Sequence, residues 1–223
     1  MVLSGKRALV TGGAVRIGRA ICCALARRGC QILIHYRRSA DAANALADEL
    51  RREHDVDALP LRGELGGEEA CVRFAAAAFR ALDGPPDILV NNASVFHRDP
   101  LSAADEQTFM RDFRPNFLAP LCLMRLFADA VTARGAYDGD GPVAKIVNLL
   151  DRRITGHEPG QVPYLVSKKA LADLTRMAAL ELAPAVTVCG VAPGAILPPT
   201  GGNSAATHRH FVDAAPLKRQ VTP

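Results

Sequence analysis

Tyr164 and Lys168 lie four residues apart in a stretch whose apolar spacing predicts the start of a helix. Side chains at i and i+4 share one face of a helix, one turn apart. A phenol has an ordinary pKa of about 10, and a nearby ammonium group stabilises the phenolate and lowers that pKa. Such a pair can serve as a general acid. Because Tyr-x-x-x-Lys is also a common accident, its meaning depends on the motifs around it.

A glycine-rich turn, TGGAVRIG, follows the first short apolar run of the chain, at residues 11–18. Glycine lets the backbone approach a pyrophosphate, and the helix that follows presents free N–H groups to it. An ordinary tight turn is the alternative interpretation. The position of this turn, after the first strand of an alternating strand–helix pattern, favours dinucleotide binding.

The second apolar run ends in His35, Tyr36, Arg37, Arg38 and Ser39. NAD-specific folds place Asp or Glu at this point to hold the ribose 2′-hydroxyl, and a carboxylate there would repel a 2′-phosphate. Guanidinium and hydroxyl groups would instead bind the phosphate with charge-assisted hydrogen bonds. The segment therefore predicts NADPH/NADP+ as the cofactor, with a solvated basic loop as the alternative.

Short apolar runs alternate with longer helical patterns along the whole chain. Strands are predicted over residues 7–10, 31–36, 58–61, 87–90, 145–150 and 187–191, and helices over 16–28, 40–53, 68–82, 116–133 and 164–182. Strands separated by helices indicate right-handed crossovers and a parallel sheet covered on both faces. The predicted fold class is α/β, a doubly wound, Rossmann-like parallel sheet in a single domain over residues 1–223.

Polar or glycine-rich segments follow all six predicted strands. In a doubly wound sheet ligands bind outside the carboxyl ends of the strands, so these segments predict one continuous cleft. Besides the glycine turn and the basic segment, they contain Glu64, Leu65, Asn92, Ala93, Ser94, Asp151, Pro193 and Gly194.

Composition excludes several other classes of protein. Lys and Arg exceed Asp and Glu by only four, 27 against 23, which argues against a nucleic-acid partner. No apolar run approaches the roughly 20 residues of a membrane span, so no membrane partner is expected. The six cysteines form no Cys-x-x-Cys pair and the histidines are scattered, which predicts reduced thiols, a cytoplasmic location and no metal site.

The combined motifs resemble the short-chain dehydrogenase/reductase family over essentially the whole chain. TGGAVRIG, NNAS, Asn116, YLVSK and the Pro193-Gly194 pair fall in the family's order and approximate spacing. The resemblance implies that Tyr164 donates a proton, that Lys168 holds the nicotinamide ribose and lowers the Tyr164 pKa, and that Asn116 supports a water relay to Lys168. It implies cofactor contacts from Thr11, Gly12, Arg16, Ile17, Gly18, His35, Tyr36, Arg37, Arg38, Ser39, Glu64, Leu65, Asn92, Ala93, Ser94, Tyr164, Lys168, Pro193 and Gly194.

Two departures resemble the pteridine reductase branch of that family. Arg16 stands where the family usually has Gly, and Asp151 stands where it usually has Ser, 13 residues before the tyrosine. Phe96 matches the aromatic residue that stacks on a pterin ring. By resemblance, the substrate contacts are Arg16, Ser94, Phe96, Asp151 and Tyr164. Plain loop packing for Phe96 and a turn cap for Asp151 remain open as alternatives.

The chemistry of Asp151 favours a pterin over a ketone. A negative charge beside a developing alkoxide is unfavourable, whereas a pterin offers amino and ring N–H donors to a carboxylate. The sequence therefore predicts a pterin reductase of folate metabolism, with Asp151, Asn116, Tyr164 and Lys168 as catalytic residues. The alternatives are a carbonyl reductase, for instance of 3-oxoacyl thioesters, and an inactive NADP(H)-binding sensor.

Two expectations concern the C-terminal part of the chain. Residues 195–215 resemble a mobile substrate loop. In the family a segment like 216–223 precedes a further helix and strand, so these are expected to be missing here. A longer natural chain would be expected to form a homo-oligomer, either a dimer or a homotetramer.

Overall fold

The computed structural model describes residues 3–135, 137–194, 196–197, 209 and 212–213. The strands are β1 Arg7–Val10, β2 Gln31–Tyr36, β3 Ala58–Arg62, β4 Ile88–Asn91, β5 Ala144–Leu149 and β6 Val186–Val191. The helices are α1 Arg16–Ala26, α2 Ala40–His54, α3 Glu68–Ala81, α4 Glu106–Phe113, α5 Ala119–Ala133 and α6 Val162–Glu181. A π-helical turn, Arg114–Leu118, joins α4 to α5, and 3-10 turns cover Leu101–Ala103 and Arg152–Thr155.

In the described part of the chain the six strands form one sheet in the order β3-β2-β1-β4-β5-β6, and every pair is parallel. The chain begins in the middle of the sheet, builds outward to β3 and then returns to place β4 on the other side of β1. This reversal is a topological switch point, which leaves a crevice at the carboxyl ends of β1 and β4. The predicted doubly wound α/β sheet is confirmed.

The central strands are buried on both faces because helices cover both sides of the sheet. On one face Leu9 packs in a cluster with Phe127 of α5. On the other face Val10 packs with Cys22 of α1 and Leu46 of α2. Successive residues of β1 thus pack into two separate cores, one on each face of the sheet. This burial on both faces holds β1 in place, and with it the turn at its carboxyl end that belongs to the predicted site.

Helix α4 was not predicted from the sequence. Its segment, EQTFMRDF, is only eight residues long and mostly polar, so its three apolar residues, Phe109, Met110 and Phe113, give a short signal although they share one face. Asp105 caps the helix by accepting a hydrogen bond from the Thr108 N–H over 2.8 Å. An Asp at this position is a common helix N-cap, so the sequence did contain one indication of where α4 begins. The helix matters for the site because it and the π-helical turn bring Arg111, Arg114 and Asn116 to the crevice.

The helical stretch Glu106–Ala133 is long and apolar enough to cross a membrane by length and composition alone. Half of its most apolar window is buried inside the protein, where Leu123, Met124 and Phe127 of α5 belong to the core. Packing against the sheet therefore accounts for its apolar character.

Three smaller expectations have different outcomes. Five of the six cysteines are buried and none forms a disulfide, as predicted, but Cys189 is exposed at the end of β6. The expected mobile loop over 195–215 falls almost entirely outside the described residues. It stays a prediction, as does the expected absence of a last helix and strand.

Candidate active site

A cleft of about 790 Å³ runs along the carboxyl ends of β1 to β4. Its walls are the glycine turn, the loops after β2, β3 and β4, and the α4–π segment. The residues predicted from the sequence that line it are Gly12, Arg16, Ile17, Gly18, His35, Arg37, Arg38, Glu64, Leu65, Asn92, Ala93 and Ser94. The other predicted site residues are described by the structure but do not line this cleft: Thr11, Tyr36, Ser39, Phe96, Asn116, Asp151, Tyr164, Lys168, Pro193 and Gly194.

The glycine turn is packed so closely that side chains are excluded from it. A Cβ atom on Gly18 would lie 2.1 Å from the Gly12 carbonyl oxygen, and Gly12 itself has a φ of +61°. Arg16 also takes a left-handed conformation, with φ +55°, although this costs a non-glycine residue roughly 1 kcal/mol or more. The turn therefore keeps its backbone open to the cleft and presents an exposed arginine side chain beside it.

His35, near the end of β2, connects two turns beside the cleft. The Gly12 N–H donates to His35 Nδ1 over 2.9 Å, so Nε2 carries the ring proton and donates to the Gly63 carbonyl at 3.2 Å. Burial lowers the pKa of His35 to about 4, which keeps the imidazole neutral in this role. His35, which the sequence predicts as a cofactor contact, therefore holds the turns after β1 and β3 in fixed positions relative to each other.

The two arginines after β2 have different surroundings. Arg37 Nε pairs with Glu64 over 3.0 Å, and both side chains are about half exposed. Arg38 lines the cleft and forms no ion pair with the part of the chain that the structure describes. A phosphate would therefore meet an uncompensated charge at Arg38 and a shared one at Arg37.

Thr11 and Asn92 join the glycine turn to the segment after β4. The buried Thr11 hydroxyl donates to the Val90 carbonyl at 3.2 Å and accepts from the N–H groups of Asn92 and Ala93. The Asn92 side-chain amide donates to the Thr11 and Gly12 carbonyls. Thr11 therefore shapes the switch point from below, which explains why it does not line the cleft.

Asn116 is completely buried in the π-helical turn. Its Oδ1 accepts from Ser94 Oγ and from the Val95 N–H, each over 2.9 Å. Its Nδ2 donates to the Val95 carbonyl and to Ser167 Oγ. All of its side-chain bonding capacity is thus spent on protein groups, so the side chain positions the Ser94 loop. The water relay to Lys168 stays a prediction.

Asp151 and Tyr164 meet at the end of β5. The Tyr164 hydroxyl donates to Asp151 Oδ2 over 2.7 Å, and Asp151 Oδ1 accepts from the Arg153 N–H over 2.8 Å. Asp151 is therefore the cap of the following 3-10 turn, one of the two interpretations left open by the sequence, and also the partner of the tyrosine. Its contact with a substrate stays a prediction.

The predicted effect of Lys168 on the tyrosine differs from what the structure shows. Burial, together with the adjacent Asp151 carboxylate, raises the pKa of Tyr164. Lys168 is 3% exposed and donates to the Leu149 carbonyl over 2.8 Å, and burial lowers its own pKa to about 8. The direction is reversed because burial, the larger cause, and the Asp151 carboxylate both disfavour the charged phenolate.

Phe96 packs edge-on against Tyr164, with ring centres 4.7 Å apart and planes at 87°. The Phe96 side chain is nevertheless 45% exposed. One edge of the Phe96 ring is held by Tyr164 while the rest of the ring is exposed, so a flat ligand could stack on it.

Several residues around this site were missed from the sequence. Arg153 pairs with Asp151 over 3.0 Å and with Glu158 over 2.7 Å. On α4, the fully buried Asp112 bonds His97 Nδ1 over 2.5 Å. The sequence could have indicated the first pair, because Arg153 follows Asp151 by only two residues. It could not indicate the contact between His97 and Asp112, because that contact depends on helix α4, which was not predicted. Others that line the cleft are Val15, Gly63, Gly66, Val95, Met110, Arg111, Arg114 and Pro115.

No group of three or more potential metal ligands occurs among the described residues.

Comparison with known proteins identifies the family. The model of the family described as short chain dehydrogenase matches residues 6–209. Pteridine reductase 1 of Leishmania tarentolae is 33% identical over 86% of this chain and 77% of its own length. L-xylulose reductase of Aspergillus niger is 31% identical over 98% of this chain and 78% of its own.

Solved structures agree with this result. FolM alternative dihydrofolate reductase 1 from Brucella canis, complexed with NADP, superposes with a TM-score of 0.80 at 31% identity, covering 99% of this chain and 83% of that one. The corresponding protein from Brucella suis gives a TM-score of 0.81 at 32% identity, with coverage of 99% and 84%.

Proposed function

The chain belongs to the short chain dehydrogenase family of oxidoreductases, and we propose that within it the protein is an NADPH-dependent reductase of pterins. The substrates would be dihydrobiopterin, dihydromonapterin, dihydrofolate or oxidised pterins. The observation that carries this proposal is the hydrogen bond from the Tyr164 hydroxyl to Asp151 Oδ2. It couples the proton donor to a carboxylate, a group suited to hold N–H donors and ill-suited to face a developing alkoxide.

The cleft fits a dinucleotide with a 2′-phosphate. Gly18 lets α1 pack directly against the Gly12 carbonyl, and both glycines line the cleft, so the free backbone N–H groups at the start of α1 would bind a pyrophosphate there. Arg38 would hold the 2′-phosphate, and the end of β2 has no carboxylate to repel it. When bound, the nicotinamide supplies the hydride. The Brucella structures, which contain NADP, support this choice of cofactor.

The chain's own residues then have distinct tasks. Asp151 would accept hydrogen bonds from the amino and ring N–H groups of the pterin. Tyr164, whose pKa is raised, keeps its proton near neutral pH and would give it to the ring nitrogen next to the carbon being reduced. Phe96 would stack on the flat ring through its exposed face, and Arg16 and Ser94 would make polar contacts with the pterin or the phosphates.

A keto-sugar reductase is the second candidate. L-xylulose reductases match this chain at an identity similar to that of pteridine reductase 1, which favours a carbonyl substrate. Asp151 argues against it, because a ketone gains from a neutral hydroxyl donor beside the tyrosine and loses from a negative charge.

Parallel assays separate the candidates. NADPH oxidation would be followed with dihydrobiopterin, dihydrofolate, L-xylulose and an acetoacetyl thioester under identical conditions. We expect turnover with at least one of the two pterins, at a kcat/KM well above that for the sugar or the thioester. Turnover of the sugar or thioester alone would contradict the proposal, and NADPH binding without turnover of any substrate would indicate a cofactor sensor.

A further inference from the structure

Arg153 is joined to Asp151 by two hydrogen bonds. Its backbone N–H donates to Asp151 Oδ1 over 2.8 Å, and its guanidinium Nη1 donates to Oδ2 over 3.0 Å. Oδ2 is also the atom that receives the Tyr164 hydroxyl. The two charged side chains are only 15% and 13% exposed, so this pair is far less screened by water than a surface ion pair.

A second set of contacts holds Arg153 from behind. Its Nε donates to Glu158 Oε2 over 2.7 Å, and the same oxygen accepts from Gln161 Nε2 over 2.9 Å. Gln161 is buried and immediately precedes α6, the helix that carries Tyr164. The arginine is therefore fixed to the helix of the tyrosine at one end and to the carboxylate at the other.

Arg153 also approaches the proposed stacking residue. Its guanidinium carbon lies 6.0 Å from the centre of the Phe96 ring, whose edge contact with Tyr164 is described above. The Arg153 guanidinium therefore contacts Asp151, the partner of Tyr164, and also lies close to the Phe96 ring.

We propose that Arg153 is a positioning residue for the reaction: it holds the Asp151 carboxylate, ionised and in one orientation, against the Tyr164 hydroxyl. The inference rests on the proposed function only in the identity of the substrate, since any substrate that takes its proton from Tyr164 would depend on the same arrangement. Removal of Arg153 would leave a poorly exposed carboxylate with less compensation, free to rotate or to take up a proton.

The charged groups around the pair come from three elements. The segment after β5 contributes two acids and two arginines. Helix α6 contributes the buried Lys168 ammonium, and α4 contributes the buried Asp112, which is bonded to His97 from the loop after β4. They are Asp151, Glu158, Arg152, Arg153, Lys168, Asp112 and His97. Of Arg152, Arg153 and Lys168, Arg153 is the one bonded to Asp151 in the described contacts, so its loss should act on Asp151 first.

The test compares Arg153→Met with Arg153→Lys, using Arg152→Met as the matched control. Arg152 is the adjacent arginine, and it pairs with Glu158 at 3.5 Å. For Arg153→Met we expect kcat on dihydrobiopterin to fall about 10- to 100-fold and the acid limb of the kcat/KM–pH profile to move up by about one pH unit. Arg153→Lys keeps the charge, so it should restore part of kcat and return the acid limb towards wild type. NADPH affinity should change little in all three variants. The melting temperature should fall in Arg153→Met, because the poorly exposed carboxylate loses its partner, and should change little in Arg152→Met.

Wild-type kcat with an unmoved acid limb in Arg153→Met would overturn the proposal, as would an equal effect from Arg152→Met. If Arg153→Met fails to fold, Glu158→Gln is the second variant, because it weakens the contact that holds Arg153 Nε. The acid limb of its kcat/KM–pH profile should move in the same direction by a smaller amount. An unmoved acid limb would contradict the proposal. If wild type reduces L-xylulose and no pterin, the proposed function has failed. The same series on L-xylulose then tests Arg153 separately.

Discussion

The Tyr164 hydroxyl donates a hydrogen bond to Asp151 Oδ2 over 2.7 Å, which joins the first turn of α6 to the residues that follow β5. Burial and the carboxylate raise the pKa of the phenol, so the proton stays on the tyrosine throughout the working range of pH. This is the state a general acid must be in before it acts. The phenol thus has a carboxylate as its hydrogen-bond partner, and this contact is the basis on which we propose a pterin over a ketone as the substrate.

Tyr164→Phe tests the proton donor directly. The ring and its contact with Phe96 would remain while the hydroxyl is lost, so NADPH binding should be nearly unchanged. Turnover should fall by about 100-fold or more, the scale of general acid catalysis. Titration of NADPH by fluorescence and steady-state assays on an oxidised pterin measure the two quantities, and full turnover in the variant would remove Tyr164 from the mechanism.

Arg38→Ala tests cofactor selectivity, and Arg37→Ala is its matched control. Arg38 faces the cleft without an ion pair among the described residues, whereas Arg37 is paired with Glu64. Loss of one charge-assisted contact to the 2′-phosphate should cost about 1.5–3 kcal/mol, or about 10- to 150-fold in the Kd of NADPH. Arg37→Ala should cost less, and NADH binding should respond weakly to both. Equal Kd values of wild type for NADPH and NADH would refute the prediction.

The pH dependence of stability tests His35. Its pKa is lowered by burial to about 4, so the unfolded chain binds a proton more readily than the folded protein between pH 6.5 and 4. Its contribution is therefore complete above about pH 6.5 and is lost as pH falls through this window, by up to about 3 kcal/mol. The measurement is the free energy of unfolding of wild type and His35→Gln in urea. The wild-type advantage should shrink between pH 7 and pH 4.5, and a constant difference would contradict the assignment.

Gly18→Ala tests the tight turn. The added methyl would sit 2.1 Å from the Gly12 carbonyl oxygen and 2.7 Å from Asn92 Nδ2, so the turn must deform. We expect a loss of about 1–3 kcal/mol in unfolding free energy and a clearly weakened affinity for NADPH. Gly156→Ala is the control, because a Cβ there meets nothing within 4 Å and its φ is not in the left-handed region. Wild-type NADPH affinity in Gly18→Ala would show that the turn does not approach the cofactor.

The alternation of short apolar runs was sufficient to predict the sheet. Each predicted strand lies within one residue of its observed bounds at either end, because two-sided burial makes the strands nearly continuous in Val, Ile and Leu. Helix α4 escaped prediction because its residues are mostly polar and its position is fixed by the Asp105 cap and by packing beside the cleft.

Residue types identified the members of the site but not all of their tasks. Thr11 was expected to contact the cofactor and Asn116 to support a water relay, whereas their buried side chains bond protein groups, and only the fold reveals these contacts. The rise in the Tyr164 pKa depends on the actual distance to Asp151 and on burial, neither of which the sequence contains. Arg153 acquires its contacts through the turn that Asp151 caps.

The ratio of kcat/KM for dihydrobiopterin to kcat/KM for L-xylulose, measured in wild type and in Asp151→Ser, tests the central claim most directly. Wild type should favour the pterin. Asp151→Ser removes a charged acceptor whose side chain is only 13% exposed, so kcat/KM on the pterin should fall about 30- to 150-fold, which corresponds to about 2–3 kcal/mol. Reduction of the sugar should be unharmed or improved, because a negative charge beside the developing alkoxide is gone. An equal loss on both substrates would reduce Asp151 to the cap of its turn and contradict the assignment to pterins.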